Sequence, residues 1–242
     1  ELDLIKNYKN KIIKKLIPFT YPKADRIIGI SKELSKDLRK LCKSKVETIY
    51  NPSFDEKISK IKIKKKNDAI KSILCVARFE KQKNHMMLLK AFKHSQKKLL
   101  SKLILVGFGR EKNNIKNFIK ANNLQDRVKI VINPRNVYQF YQNADLFILT
   151  SLYEGFGNVI VEAGSFKIPI ISTSCKSGPK EILGNGLYGD LVKVNDVQKL
   201  SKLIIKNLLN PSQKKIAQMY KSLKRFKIDS HIKNYERVFN EV

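Results

Sequence analysis

Short apolar segments alternate with longer helical segments from residue 72 to residue 194, and this alternation constrains the fold more than any other feature of the chain. Each apolar segment is four to six residues long, which is the length of a strand rather than of a helix. Parallel strands need crossover connections, and these are usually helices. The pattern therefore predicts an α/β fold built on a doubly wound parallel sheet. The predicted strands are 72–77, 102–106, 128–132, 146–150, 169–173 and 191–194, and the predicted helices are 84–95, 111–122, 137–143, 158–166 and 180–183, with further helices to residue 242.

A smaller strand–helix–strand pattern comes before this region. It consists of a strand at 25–30, a helix at 32–41 with Ser31 as its N-cap, and a strand at 46–50. Asn51-Pro52 then breaks the chain, and a polar, lysine-rich stretch follows. We therefore predict three parts. They are the remnant of a second α/β domain at 1–52, an interdomain linker at 53–70, and a Rossmann-like domain with C-terminal helices at 71–242.

The formal net charge of +29 would attract phosphate groups of any kind, whether on nucleic acid, lipid or a small diphosphate. Lysine is spread along the whole chain among many Asn and Ile residues, which favours a compositional bias over a dedicated nucleic-acid surface. Residues 6–15 contain five lysines interleaved with apolar positions. This segment fits either a basic amphipathic helix on an anionic membrane surface or a solvated helix face.

Nothing in the sequence resembles a signal peptide, and no apolar stretch is long enough to cross a bilayer. We expect a cytoplasmic protein, either free or peripheral on the inner face of the cytoplasmic membrane. The chain opens on Glu1 rather than Met, which is compatible with a fragment. Three widely spaced cysteines and three scattered histidines match neither a disulfide framework nor a zinc pattern, so no metal site is expected.

The segment from Glu154 to Glu162 follows a predicted buried strand and opens a predicted helix. Its glycines would let the backbone approach a ligand, and the first N–H groups of the helix would point at an anion. Glu162 could accept hydrogen bonds from both hydroxyls of a ribose, and Glu154 from hydroxyls of a sugar ring. The spacing alone also fits two surface acids, but its place after a buried strand favours a binding site. The intervening positions of interest are Gly155, Gly157, Asn158 and Val159.

Two further clusters follow strands of the same predicted sheet. Arg78 and Lys83 flank the turn after the strand at 72–77, where two cations suit a diphosphate leaving group. In so basic a chain, two cations in a loop indicate a ligand site only because they lie between this strand and the following helix. Gly107 and Gly109 follow the strand at 102–106, but a tight turn alone would explain both glycines. Lys112 replaces the third glycine of a dinucleotide-binding fingerprint.

These clusters, in this order, resemble the donor-binding domain of family-4 retaining glycosyltransferases of the GT-B type. The resemblance runs from about Ala24 to the end of the chain. It is specific as a set, although no single motif would suffice. Ala77 and Lys167 stand where that family usually has glycine. The matching stretches are 24–31, 49–52, Arg78 with Lys83, 143–147, 154–162 and 177–183.

The resemblance implies roles for particular residues. Arg78, Lys83 and Glu154 are the implied catalytic residues, with the two cations on the donor diphosphate and Glu154 on the sugar. Asn133 and Pro134 would lie against the base, and Glu162 would hold the ribose. The full set of implied donor-binding residues is Gly107, Asn133, Pro134, Gly155, Phe156, Gly157, Asn158, Val159 and Glu162.

The resemblance also implies an activity. It is transfer of a hexose from a nucleoside diphosphate-sugar, expected to be UDP-linked, to a growing or lipid-linked glycan, with retention and without a metal or other cofactor. The stretch 177–183 resembles bacterial enzymes of polysaccharide, lipopolysaccharide and lipid-linked oligosaccharide synthesis. Only the end of an N-terminal acceptor domain is present, so the missing domain is an expected partner.

Two alternatives stay open. The chain could be a nucleotide-sugar-binding module that transfers nothing by itself. It could also bind nucleic acid through its charge, although no nucleic-acid-binding motif supports that hypothesis and no such partner is expected.

Overall fold

The computed structural model describes residues 16–17, 19–41, 45–55 and 70–242. In the ranges 19–41 and 45–55, strands β1 (Ile27–Gly29) and β2 (Val46–Thr48) pair in parallel, and helix α1 (Lys32–Leu41) lies between them in the chain. Ile27, Leu38 and Val46 form a small core between them. This unit has the predicted order of elements. The basic segment at 6–15 lies outside the described residues, as does most of the linker at 53–70, so the membrane helix and the domain boundaries stay predictions.

A second, six-stranded sheet forms the centre of the larger part of the chain. Its strands are β3 (Lys71–Val76), β4 (Ser101–Val106), β5 (Val128–Val131), β6 (Leu146–Leu149), β7 (Ile170–Thr173) and β8 (Asp190–Val192). All of them are parallel, in the order β5-β4-β3-β6-β7-β8. This order, with a reversal between β3 and β6, is that of a doubly wound Rossmann-type sheet, so the predicted fold is confirmed.

Helices follow the strands and continue to the C-terminal end of the chain. Strand β6 is buried along its whole length, and Ile73 in β3, Leu103 in β4 and Ile171 in β7 are fully buried in the same core. Strand β6 therefore has a continuous apolar sequence rather than an alternating one, as is typical of a strand covered on both faces. The helices are α2 (His85–Gln96), α3 (Lys112–Ala121), α4 (Tyr138–Gln142), α5 (Asn158–Ser165), α6 (Pro179–Ile182), α7 (Val197–Leu209), α8 (Gln213–Ser222) and α9 (Ile228–Asn240).

The C-terminal segment returns to the short piece of chain that follows β2. The backbone N–H groups of Ser53 and Phe54 both donate to the carbonyl oxygen of Phe226, at 3.2 and 3.0 Å. The ring of Tyr50 lies edge-on to that of Phe226 at 5.4 Å. In the described part of the chain, no helix combines the length and the apolar character needed to cross a membrane.

Candidate functional site

The loops that follow β3 and β6 meet where the strand order reverses. The carboxyl ends of these two adjacent parallel strands lie at the same edge of the sheet, which is where ligands bind in such folds. The backbone N–H of Leu152 donates to the carbonyl oxygen of Gln82, and Gln82 Nε2 donates to the carbonyl oxygen of Tyr153, both at 2.8 Å. Thr150 Oγ1 donates to the carbonyl oxygens of Lys83 and Asn84, each at 3.1 Å. These contacts fix one loop against the other.

Lys83 and Glu154 form an ion pair between these loops. Lys83 Nζ lies 2.6 Å from Glu154 Oε1, and the side chains are 13% and 7% exposed. Ser151 Oγ donates to the same carboxylate oxygen at 2.5 Å. Among the described residues, Glu154 Oε2 has no hydrogen-bond partner, so one oxygen of this buried carboxylate is left for a ligand. Two of the three predicted catalytic residues are thus in direct contact.

Arg78 differs from Lys83 although both belong to the loop after β3. Its side chain is exposed and, within the described residues, makes neither a hydrogen bond nor an ion pair. The residue that follows it, Phe79, is fully buried and anchors the loop. Arg78 is therefore a free cation at the edge of the sheet where Lys83 and Glu154 meet.

Gly107 and Gly109 are explained by the packing of this same loop. The N–H of Ala77 donates to the carbonyl oxygen of Val106 at 3.0 Å, and the N–H of Phe79 donates to that of Phe108 at 2.6 Å. A Cβ atom on Gly107 would run into the carbonyl oxygen of Ala77. The absence of a side chain at Gly107 therefore lets the loops after β3 and β4 lie side by side.

Helix α5 begins at Asn158, shortly after Glu154 in the chain. The N–H groups of Asn158 and Val159 come before the first backbone bond of this helix, from Ile160 N to the carbonyl oxygen of Gly157 at 2.9 Å. Such N–H groups suit an anion. The side-chain oxygen of Asn158 accepts hydrogen bonds from Asn51 Nδ2 at 3.3 Å and from Ser53 Oγ at 3.0 Å.

Phe156 packs its side chain against aromatic rings of two other segments. Its side chain is buried, and its ring lies 5.8 Å from that of Tyr50 and 5.3 Å from that of Phe226. The ring thus ties the loop after β6 to the segment that follows β2. Its neighbour Gly155 is half-buried.

Glu162 lies one turn into α5 and is half-buried. Tyr141 in α4 donates its phenolic O–H to Glu162 Oε2 at 2.8 Å. Burial raises the pKa of Glu162, and the hydrogen bond from Tyr141 opposes that rise. Tyr141 is not among the site residues predicted from the sequence. The signal that could have found it is a tyrosine on the short helix directly before the buried strand that leads to Glu154.

Asn133 and Pro134 follow β5, at the edge of the sheet beyond β4. The carbonyl oxygen of Val131, at the end of β5, accepts from the N–H of Gly107 at 3.0 Å. Asn133 is exposed and has a left-handed φ of 41°. No hydrogen bond links its side chain to the other candidate residues in the part of the chain that the structure describes. The structure therefore places these two residues next to the loop of Gly107, two strands away from Lys83.

His85 is a buried residue of this region to which the sequence reasoning gave no role. It is the first residue of α2 and is 3% exposed, and its ring lies edge-on to that of Phe79 at 5.1 Å. Neither ring nitrogen has a hydrogen-bond partner among the described residues. Burial, and then the nearby charge of Lys83, lower its pKa to about 4. The imidazole is therefore neutral at physiological pH.

Two relatives with known names are similar to most of this chain. A Campylobacter jejuni N-acetylgalactosamine-N,N'-diacetylbacillosaminyl-diphospho-undecaprenol 4-alpha-N-acetylgalactosaminyltransferase is 33% identical over an alignment 196 residues long, which covers 79% of this chain and 53% of that protein. The N-acetyl-alpha-D-glucosaminyl L-malate synthase of Bacillus anthracis is 26% identical over an alignment 245 residues long, gaps included, which covers 95% of this chain and 63% of the relative. The chain thus spans about half to two thirds of the length of these two relatives.

Solved structures show the same fold. Sucrose-phosphate synthase from Thermosynechococcus elongatus superposes with a TM-score of 0.85 at 20% identity, over 98% of this chain and 64% of that one. Anabaena HepE in complex with UDP and glucose superposes with a TM-score of 0.80 at 20% identity, over 97% and 67%. The family model described as "Glycosyl transferases group 1" matches residues 55–226. The chain therefore belongs to the group 1 family of glycosyl transferases.

Proposed function

We propose that this chain carries the donor-binding part of a family-4 retaining hexosyltransferase that uses a nucleoside diphosphate-sugar, with UDP as the nucleotide. The observation that carries the proposal is the meeting of Lys83 and Glu154 at the point where the strand order of the sheet reverses. A cation suits a diphosphate, and a buried carboxylate with one free oxygen suits sugar hydroxyls. The UDP-bound structure of similar fold supports the choice of nucleotide.

Each candidate residue has a chemical task in this proposal. Arg78 and Lys83 stabilise the negative charge that grows on the diphosphate as its bond to the sugar breaks. Glu154 orients the sugar, and the N–H groups of Asn158 and Val159 add an anion-binding helix terminus. Glu162 accepts hydrogen bonds from the ribose hydroxyls. The two cations supply the charge compensation, so the proposed reaction is metal-independent.

Retention follows in this proposal from attack on the same face as the leaving group. The departing phosphate helps to remove the acceptor proton, and no protein carboxylate is assigned as a nucleophile. The test is the anomeric configuration of the first product formed, read by NMR. A product with inverted configuration would contradict this part of the proposal.

We propose a glycan or lipid-linked glycan as the acceptor, in bacterial polysaccharide, lipopolysaccharide or lipid-linked oligosaccharide synthesis. The name of the Campylobacter jejuni relative, which describes a diphospho-undecaprenol-linked glycan acceptor, supports this class. In this proposal the protein works in the cytoplasm, peripherally on the inner face of the membrane. Binding to anionic but not to neutral vesicles would support the membrane contact, and equal binding to both would contradict its electrostatic form.

A calorimetric titration with UDP, GDP and ADP, each with and without EDTA, tests the donor site. We expect one nucleotide to bind whether or not EDTA is present. We expect Glu162→Ala to weaken that binding by about tenfold or more, because an ionised acceptor of two hydroxyl hydrogen bonds is lost. Equally weak binding of all three nucleotides, unchanged in the variant, would refute the site.

The alternative is a nucleotide-sugar-binding module without transfer activity of its own. The chain spans 53% of the length of the Campylobacter jejuni relative, and all of the candidate donor-binding residues lie within it. Adding an acceptor-binding half in trans separates the two functions. Restored transfer would indicate a divided enzyme, whereas nucleotide binding without any transfer would favour the module.

A further inference from the structure

The contact between α4 and α5 contains a polar bond inside an otherwise apolar packing. Tyr141 is 1% exposed, and its ring lies parallel to that of Phe166 at 5.4 Å, with an interplanar angle of 3°. The ring of Phe147 in β6 lies 5.7 Å away on a second side. These contacts hold the phenol in one place, so its O–H points in a fixed direction. That direction is towards Glu162 Oε2, at 2.8 Å.

Because of this hydrogen bond, the two carboxylate oxygens of Glu162 have different surroundings. A neutral phenol has one proton to donate, and Tyr141 gives it to Oε2. Within the described residues, Oε1 has no hydrogen-bond partner, and the side chain is only half-buried. A carboxylate held through one oxygen cannot rotate freely, which leaves the other oxygen presented in a defined orientation.

We propose that Tyr141 is a positioning residue that keeps the carboxylate of Glu162 oriented and ionised for the hydroxyl groups of the donor ribose. This inference rests on the proposed function, because it assigns Tyr141 a task in the same site. The side chain of Tyr141 is buried beneath Glu162, and it acts only through that carboxylate.

The hydrogen bond between Tyr141 and Glu162 affects the ionisation of both side chains. Burial raises the pKa of Glu162, and the hydrogen bond from Tyr141 lowers it, so the phenol counteracts the cost of burying the charge. Burial together with the charge of Glu162 raises the pKa of Tyr141 well above its usual value, so the phenol keeps its proton and remains a donor. The other titratable groups that act on this pair are Tyr138, the thiol of Cys75, and Asp55 through Tyr138.

The test is the pH dependence of UDP affinity in wild type and in Tyr141→Phe. Affinity should fall as the pH drops and Glu162 takes up a proton, because a protonated carboxyl accepts poorly from two hydroxyls. Loss of one hydrogen bond to a charged group should move this acid limb upward by about one pH unit. The loss of affinity in the variant should therefore be greatest at low pH. The phenylalanine ring preserves the stacking on Phe166.

Tyr138→Phe is the matched control for positioning. It removes a neighbouring phenol that has no hydrogen bond to Glu162 in the structure, so it should leave the acid limb in place, whatever its effect on thermal stability. An unmoved acid limb in Tyr141→Phe, or an equal shift in Tyr138→Phe, would overturn the inference while leaving the donor site in place. Failure of the wild type to bind UDP, GDP or ADP would instead refute the proposed function.

Discussion

Lys83 and Arg78 carry the same charge in the same loop, but the structure gives them different environments. Lys83 is paired with the buried Glu154, whereas Arg78 is exposed and has no partner among the described residues. Removing one member of a buried ion pair leaves the other charge uncompensated. We therefore expect Lys83 to contribute to both stability and ligand binding, and Arg78 to contribute to ligand binding with little effect on stability.

Lys83→Ala should lower the free energy of unfolding by about 3 kcal/mol, because Glu154 keeps its burial and loses its cation. Arg78→Ala should change it by no more than about 0.5 kcal/mol, as is usual for an exposed side chain. Both variants should bind UDP more weakly. Urea unfolding and calorimetry measure the two effects. Equal loss of stability in both variants would show that the ion pair contributes little.

His85 should make the protein sensitive to mild acid. Burial lowers its pKa in the folded state to about 4, below the usual value of 6.5, so the unfolded chain binds a proton first as the pH falls. The stabilisation is complete above pH 6.5 and is lost as the pH falls towards 4. The full effect is on the order of 3 kcal/mol.

His85→Leu tests this expectation, because an apolar side chain leaves no buried nitrogen without a partner. The midpoint of urea unfolding should depend less on pH in this variant than in the wild type. His94→Gln, a change at an exposed histidine of the same helix, is the matched control and should retain the wild-type dependence. His231 is present in all three proteins and adds the same background. An unchanged pH dependence in His85→Leu would show that His85 does not cause the acid sensitivity.

At the scale of elements, the loops at the carboxyl ends of the strands are held by close backbone contacts. Gly178 precedes α6 and has a φ of 72°, and a Cβ atom there would collide with the carbonyl oxygen of Phe156. Gly186 has a φ of 100°, but no atom of the described residues lies within 4 Å of such a Cβ. A side chain at either position would strain the left-handed backbone, but only at Gly178 would the added Cβ atom also collide with a neighbouring residue.

Gly186→Ala should therefore cost about 1 kcal/mol of stability, the usual penalty for a side chain at a left-handed φ. Gly178→Ala should cost more, and it should also weaken UDP binding, because the loop that carries Glu154 must shift to make room. Thermal unfolding and calorimetry on both variants measure the difference. If both variants lose the same stability and keep the wild-type affinity for UDP, the loop can move to accommodate the Cβ atom without disturbing the site.

The sequence predicted the elements well, because each of them is encoded locally. The fully apolar run at 146–149 became β6, and the predicted helix at 32–41 matches α1. Lys167, which stands where the resembled family usually has glycine, adopts a left-handed φ of 55°, which explains the usual residue. The fold could therefore be predicted from the residues at the turns and from the pattern of apolar residues.

The contacts within the site were not predictable in the same way. Lys83 and Glu154 are 71 residues apart, and Tyr141 and Glu162 are 21 apart. Side chains this distant in sequence meet only through the strand order and the rotamers of the packed core. The burial of the Phe156 ring against Tyr50 likewise depends on how the chain after β2 returns to the sheet.

At the scale of the whole molecule, carboxylates join the small unit of β1, α1 and β2 to the larger sheet. Glu181 Oε2 accepts from the N–H of Lys32 at 3.0 Å, and its Oε1 accepts from the O–H of Tyr50 at 2.5 Å. In return, Glu33 accepts from the N–H of Ser177 at 2.7 Å. Each acid satisfies a backbone donor of the other unit, so α1 is held beside the loops that carry the candidate site.

Because the net charge is +29, the salt dependence of binding should distinguish a structured nucleotide site from nonspecific attraction of anions. Binding of a polyanion by scattered lysines depends on counterion release, and between about 50 and 200 mM salt such binding typically weakens by about 10³-fold or more. A nucleotide held by hydrogen bonds and a half-buried carboxylate should lose less than about tenfold, because the screening of buried groups is weaker. Titrations of UDP and of a DNA duplex at both salt concentrations, with wild type and Glu162→Ala, make the comparison. The variant should weaken UDP binding at both concentrations and leave DNA binding unchanged. Parallel salt dependence for the two ligands, with no effect of the variant, would mean that charge alone attracts the nucleotide.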